Sequence, residues 1–172
     1  MKPETRRLKL RRLVQTDAAF ILELLNDPDW LRHIGERDVH TLADARAYIE
    51  TEPMAMHREH GHGLDAIELR ETATAVGICG LLQRDILPDP ALGYGLLPAW
   101  RGRGIAREAA EAAVHHGFQT LGLKRINAIV SINNHASIRL LRELGFEREG
   151  EFEREPNGIQ LDLYRHLGQS FR

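Results

Sequence analysis

The chain has 172 residues, 42% of them hydrophobic and 28% charged, with a formal net charge of −2 and one cysteine. A chain of this size fits one domain that buries most of its unfolded surface without disulfides or structural metal, and its near-neutral balance carries no footprint of wholesale nucleic-acid binding. No apolar run approaches the roughly 18 residues of a membrane span, the charged N-terminus lacks a signal-peptide core, and the lone Cys79 has no internal disulfide partner, so the cytoplasm is the default address.

In chain order, the basic run Arg6-Arg7-Leu8-Lys9-Leu10-Arg11-Arg12 alternates with leucines and predicts a first strand with charges on its exposed face, not a nucleic-acid arm. Thr16 stands where it can cap a helix whose stripe is Phe20, Ile21, Leu24 and Leu25, and Asn26-Asp27-Pro28 stops it. Residues 29–35, with Trp30 and His33, read as an aromatic-rich loop. Thr41-Leu42-Ala43-Asp44 resembles a capping box and predicts a helix over 42–50, Pro53 suits the first turn of a short helix reaching His60, and Gly61-His62-Gly63 marks a turn. The period then becomes two: residues 64–69 and 76–82 read as a hairpin across a polar turn, with Cys79 a small buried hydrophobe. Gly93-Tyr94-Gly95-Leu96-Leu97 is a short central strand halted by Pro98. From Ile105 the spacing is helical, with Ile105, Ala109, Ala113 and Gly117 on one face. Residues 125–131 predict a strand, Asn134 a cap for a helix that Gly145 ends, and residues 146–154 and 159–167 two strands around Asn157-Gly158.

The stretch 101–106, Arg101-Gly102-Arg103-Gly104-Ile105-Ala106, joins the central strand to the long helix. A helix start has N–H groups without intrahelical partners and the positive end of the macrodipole; glycines let a ligand approach, and arginines add charge. A P-loop would need Lys followed by Ser or Thr after Gly104, and a dinucleotide fingerprint a third small residue where Arg107 stands. The pyrophosphate of coenzyme A is a third ligand such a turn could take, and a glycine-rich turn that only caps a core helix is the alternative.

These six residues resemble the [RQ]-x-x-G-x-[GA] motif of the GNAT N-acetyltransferases, with Arg101, Gly104 and Ala106 at the defining positions. Asn133 to Phe146 is similar to the family's second signature, and Leu25-Asn26-Asp27-Pro28, Ile34-Gly35 and Thr41-Leu42-Ala43-Asp44-Ala45 resemble the branch typified by the ribosomal-protein acetyltransferases RimJ and RimL. The resemblance implies a single domain over residues 8–168: an α/β GNAT fold with a mixed, mostly antiparallel sheet splayed at its fourth and fifth strands. It implies a bulged central strand, with the pantetheine arm of acetyl-CoA in the gap against Leu96 and Leu97. A backbone N–H there, at Leu96, faces the thioester oxygen. Gly102, Arg103, Gly104, Ile105 and Ala106 hold the pyrophosphate by main-chain N–H groups, with side-chain help from Arg101 and Arg103. Asn134 is a helix cap, a pantetheine contact or both.

The family's usual tyrosine acid is replaced by Leu141, which leaves Ser137 as proton donor, and its strand-start glutamate is absent from Ala91-Leu92-Gly93. Glu68 and Asp65 are then candidate bases. Trp30 and His33 fall where the family forms its acceptor pocket, and Tyr94 lines that pocket or packs in the core. His57, His60, His62, His115 and His116 read as surface residues without the partners of a metal site. The resemblance implies acetyl transfer to a primary amine, either a protein N-terminal α-amine or a small-molecule amine such as an amino acid, polyamine or drug. The alternative is a non-catalytic acyl-CoA sensor. No metal, membrane or nucleic-acid partner is expected, and a homodimer is left open.

Overall fold

The computed structural model describes residues 3–152 and 158–168. Its order is β1 (Leu8–Arg12), α1 (Ala18–Leu25), α2 (Pro28–His33), α3 (Leu42–Ile49), α4 (Ala55–His60), β2 (Leu64–Leu69), β3 (Thr74–Leu82), β4 (Ala91–Leu96), α5 (Ile105–Gln119), β5 (Ile126–Ser131), α6 (His135–Glu143), β6 (Glu147–Glu151) and β7 (Leu161–His166). The strands form one sheet in the order β1-β2-β3-β4-β5-β7-β6. Strand alternation divides the core in two. Leu8, Leu10, Ile67, Cys79 and Leu81 pack under Ile105, Ala109 and Ala113 of α5. Leu64, Ala66 and Ile78 point the other way, into a second cluster with Ile21, Leu24, Trp30, Ala45 and Ile49. No helix among the described residues is long and apolar enough to cross a membrane.

All neighbouring strands are antiparallel except β4 and β5. That parallel pair is joined by a single register partnership, Ala91 with Asn127. Fully buried Asn127 pins this end: its N–H donates to the Pro90 carbonyl at 2.9 Å and its side-chain amide to the Asp89 carbonyl at 3.1 Å. Beyond Ala91 the strands part, so the sheet is closed at one end of β4 and open at Leu96, the splay expected at the fourth and fifth strands.

Several local expectations change. Thr16 is not a cap; Asp17 organises that corner, accepting the Val14 N–H at 2.9 Å and both Arg11 terminal nitrogens at 2.8 Å. The expected loop at 29–35 is largely α2, because Asp27 caps its N-terminus by accepting from the Trp30 N–H at 3.3 Å and Pro28 pre-sets the first turn. Thr41 and Asp44 do form the capping box. Pro53 does not open a helix: it sits inside a wider π-helical turn, Glu50–Met54, that runs α3 into α4. β4 carries no bulge: its pairing with β3 keeps one register from Leu82 opposite Ala91 to Gly77 opposite Leu96, and the irregularities fall between Ile67 and Glu68 and between Arg148 and Gly150. The β6 end and turn expected through Asn157 lie outside the described residues.

Candidate active site

β4 leads through the short turn Pro98–Trp100 into the glycine-rich segment and α5. Gly102 and Gly104 hold φ of 74° and 75°, a left-handed conformation that side chains with a Cβ adopt at a cost of about 1–2 kcal/mol. α5 has no side-chain cap, and its first intrahelical bond is Glu108 N–H to the Gly104 carbonyl at 3.1 Å. The N–H groups of Ile105, Ala106 and Arg107 therefore lack helical acceptors. A Cβ built on Gly102 would meet no atom within 4 Å, so this backbone is open to a ligand. Uncapped donors, positive dipole and open approach suit the diphosphate of coenzyme A.

Two arginines frame the turn differently from the expectation. Arg101 lines the same cleft as the turn, but its guanidinium is engaged within the protein: it binds Asp27 at 2.5 Å, Asp29 at 2.6 Å and the Leu96 carbonyl at 3.0 Å. It is a strut between α2 and the end of β4, because two carboxylates in the first turns around α2 outcompete solvent for it. Arg103 rests 5.0 Å over the Trp100 ring. A further cation beside the turn, missed from sequence, is Arg7, whose guanidinium lies 3.5 Å from a Cβ built on Gly104 and bonds Glu108 at 2.7 Å and the Arg103 carbonyl at 3.0 Å. Burial would raise the Glu108 carboxyl, but hydrogen bonds from Thr5 and Arg7 hold it below the usual range. The partners are about a hundred residues apart in sequence, so no local signal existed beyond the basic run.

In an antiparallel pair, residues alternate between bonding their partner strand and facing away from it. Leu97 donates its N–H to the Val76 carbonyl at 2.9 Å, so it faces β3. By the same alternation Leu96 and Tyr94 turn their backbone groups toward the gap beside β5. Of the two residues expected to line the pantetheine, Leu96 alone keeps an N–H aimed into the gap. A cleft of about 500 Å³ occupies it, bounded by Tyr94, Leu96, Gly104, Ala106, Asn134 and Ser137. A second pocket of about 110 Å³ continues between β4 and β5 to Leu64 and Ile78 of the α1–α3 side. Trp30, His33, Ile34, Tyr94, Asn134 and Ser137 line both, so they mark the junction.

Asn134 caps α6, its side-chain oxygen accepting the Ser137 N–H at 3.3 Å. Ser137 is half-buried at the junction, and Leu141 is buried behind it. Tyr94 packs its ring against the α5-side core while its hydroxyl donates to the Ser137 carbonyl at 3.4 Å; burial pushes the phenol up to about 12, so it keeps its proton at neutral pH. The sequence could not rank Tyr94 above a core residue because strand alternation alone does not reveal the gap. His33 Nδ1 lies 3.5 Å from Ser131 Oγ. Its ring is held below the ordinary histidine range by burial and then by Arg32, Arg101 and His135. Trp30 lies against Gly95, where a Cβ would come 2.9 Å from the ring, and its buried indole nitrogen has no partner among the described residues.

The candidate bases lie elsewhere. Glu68 bonds Arg11 at 2.5 Å, and Asp65 pairs with His57 at 3.0 Å. His57 is thus buried, not superficial, because Asp65 on β2 supplies the partner that sequence spacing hid. Among the described residues the single group of metal-ligating side chains is the exposed Glu36, Asp38 and His40.

Such a site can hold a thioester in the gap, present one N–H to its carbonyl oxygen and admit an amine from the opposite side. Comparison with known proteins identifies the family and the fold. The profile of the Acetyltransferase (GNAT) domain matches residues 7–147. An uncharacterized N-acetyltransferase of Bacillus subtilis, YoaA, is 31% identical over 149 residues, 86% of this chain and 83% of that one. The spermidine N(1)-acetyltransferase of Escherichia coli is 24% identical over 172 residues, 95% of this chain and 89% of the other. The crystal structure of the ribosomal-protein-S5-alanine acetyltransferase from Vibrio fischeri superposes with a TM-score of 0.82 at 19% identity, covering 100% of this chain and 99% of that one, which shows a common fold.

Proposed function

The chain belongs to the GNAT family of N-acetyltransferases, and on that footing we propose that it acetylates the free α-amine of a peptide or protein N-terminus, in the manner of the RimJ/RimL-like branch. Acetyl-CoA, the donor used by this family, supplies an activated acetyl group. The observation that carries the proposal is the opening of the sheet between β4 and β5 directly above the uncapped glycine turn. In this reading the N–H groups from Gly102 to Ala106 grip the diphosphate, with Arg7 and Arg103 adding positive field. Leu96 N–H faces the carbonyl oxygen, a contribution of about 3 kcal/mol in comparable oxyanion sites. Asn134 orients α6 and lies beside the pantetheine path. Ser137 supplies a hydroxyl proton to the departing sulfur, while the Tyr94 hydroxyl bonds the Ser137 carbonyl.

The choice of acceptor rests on charge. Asp29 is the one carboxylate lining either pocket among the described residues, and it is bound to Arg32 and Arg101. A polyamine would leave its cationic tail without a counter-ion, whereas an α-amine, with an ordinary pKa of about 8, reaches its neutral form readily. Measuring thiol release from acetyl-CoA with peptides starting in alanine, serine or methionine, and with spermidine, tests this. Peptide-dependent release well above the spermidine rate is expected; the reverse order would assign a small cationic amine instead.

A further inference from the structure

We propose that His33 accepts the proton of the incoming ammonium, through Nε2, while Ser131 holds Nδ1; the inference rests on the acetyltransferase reading above. Every other carboxylate considered for this task is committed elsewhere: Glu68 to Arg11, Asp65 to His57, and Asp29 to Arg32 and Arg101. His33 closes α2 and lines both pockets at their junction, which in the acetyltransferase reading is where an acceptor nitrogen entering from the α1–α3 side would meet the acyl carbon. A base needs a positioned ring as well as an open nitrogen. Ser131 Oγ is nearly buried, accepts the Asn133 N–H at 3.4 Å and stands 3.5 Å from Nδ1, which leaves Nε2 without a protein partner among the described residues.

The surroundings keep the imidazole neutral. From α2 come Arg32 and Asp29, from the β4–α5 turn Arg101, from α6 His135 and Ser137, from β4 Tyr94, from β5 Ser131, and Arg84 lines the smaller pocket with His33. Burial, then the charges of Arg32, Arg101 and His135, lower the ring's proton affinity, so His33 is free to accept at neutral pH. Arg101 is therefore linked to the chemistry through its field.

One proton moves from the acceptor's ammonium nitrogen to His33 Nε2. The freed lone pair forms the C–N bond at the acetyl carbon while the C–S bond breaks with its electrons on sulfur. Ser137 Oγ gives its proton to the sulfur and regains one from the surplus proton on nitrogen, and the imidazolium returns its proton to solvent. The products are the acetamide and the free thiol.

The test compares wild type with His33→Gln, using acetyl-CoA with an alanyl tetrapeptide amide and, in parallel, spermidine. The expected result is a kcat lower by about 10²–10³-fold, loss of the acidic limb of the kcat–pH profile, and a calorimetric acetyl-CoA Kd within twofold of wild type. Histidine NMR on wild type supplies a readout independent of turnover and of the variant's folding: the His33 ring should titrate below the ordinary histidine value. A variant that keeps both its rate and its acidic limb, a loss confined to KM, or a His33 ring titrating at or above the ordinary value overturns the inference alone. Wild type that fails to bind acetyl-CoA overturns the acetyltransferase reading; wild type that binds it but acetylates neither probe overturns the inference as well.

Discussion

Replacing Arg101 with alanine separates two roles that the same motif position can have. As a diphosphate ligand, Arg101 would contribute to cofactor affinity and little to stability. As the strut seen here, it joins α2 to the end of β4 through Asp27, Asp29 and the Leu96 carbonyl. The Asp29 arm is solvated, with side chains 36% and 42% exposed, and contributes only a few tenths of a kcal/mol. The Asp27 arm matters more: that carboxylate is 6% exposed and also caps α2, so removing its cation leaves a nearly buried charge half-satisfied. Such a loss costs about 3 kcal/mol in a fully buried pair; discounted for the exposed arginine it comes to about 2 kcal/mol. For a chain of this length that is a drop of about 6 °C in Tm. Thermal unfolding and calorimetric titration with coenzyme A read the two effects separately. We expect the lower Tm, a raised acceptor KM from a loosened α2, and a coenzyme A Kd changed by less than about threefold, since 1.4 kcal/mol would be tenfold. An unchanged Tm with a tenfold loss of coenzyme A affinity would refute the strut and restore the diphosphate contact.

Gly102→Val places a branched side chain at φ 74° in the space left for the ligand, so Tm should fall by an amount matching about 1–2 kcal/mol and coenzyme A affinity by tenfold or more; calorimetry showing wild-type affinity would reject that backbone as the binding surface. Ser137→Ala should lower kcat by roughly tenfold with cofactor affinity preserved, and an unaltered rate would reduce Ser137 to a residue of the α6 cap. Burial opposes ionisation of Asp17, yet the hydrogen bonds from Arg11 and the Val14 N–H hold its carboxyl below the ordinary range. Its stabilisation is thus fully present above the unfolded-state value and is lost as pH falls through the lower folded one. Urea melts should show Asp17→Asn about 2 kcal/mol less stable at pH 7, with the gap narrowing only below about pH 4; a gap that shrinks already at pH 6 would point to another group.

The elements most legible in sequence were those governed by local rules. The Thr41 box, the Asn134 cap, the 64–82 hairpin and the Ile105 helix follow from capping chemistry and periodicity within a few residues. What escaped depends on partners far along the chain. α2 looked like a loop because its six residues carry no repeat, and it persists through Asp27, whose carboxylate is tied to Arg101. His57 looked superficial because Asp65 reaches it from the next strand. The family motif singled out the candidate turn at residues 101–106, yet could not show how the nearby arginines are held, since Arg101 and Arg7 are bound by carboxylates distant in sequence.

The central claim is that main-chain N–H groups at the start of α5 hold the diphosphate and thereby aim the thioester into the gap at Leu96. A crystal structure with coenzyme A bound tests it most directly. The account predicts phosphate oxygens about 3 Å from amide nitrogens between Gly102 and Ala106, with the pantetheine arm between β4 and β5. Coenzyme A seated in the separate cavity beside His57 and His62, with the turn bare, would contradict it.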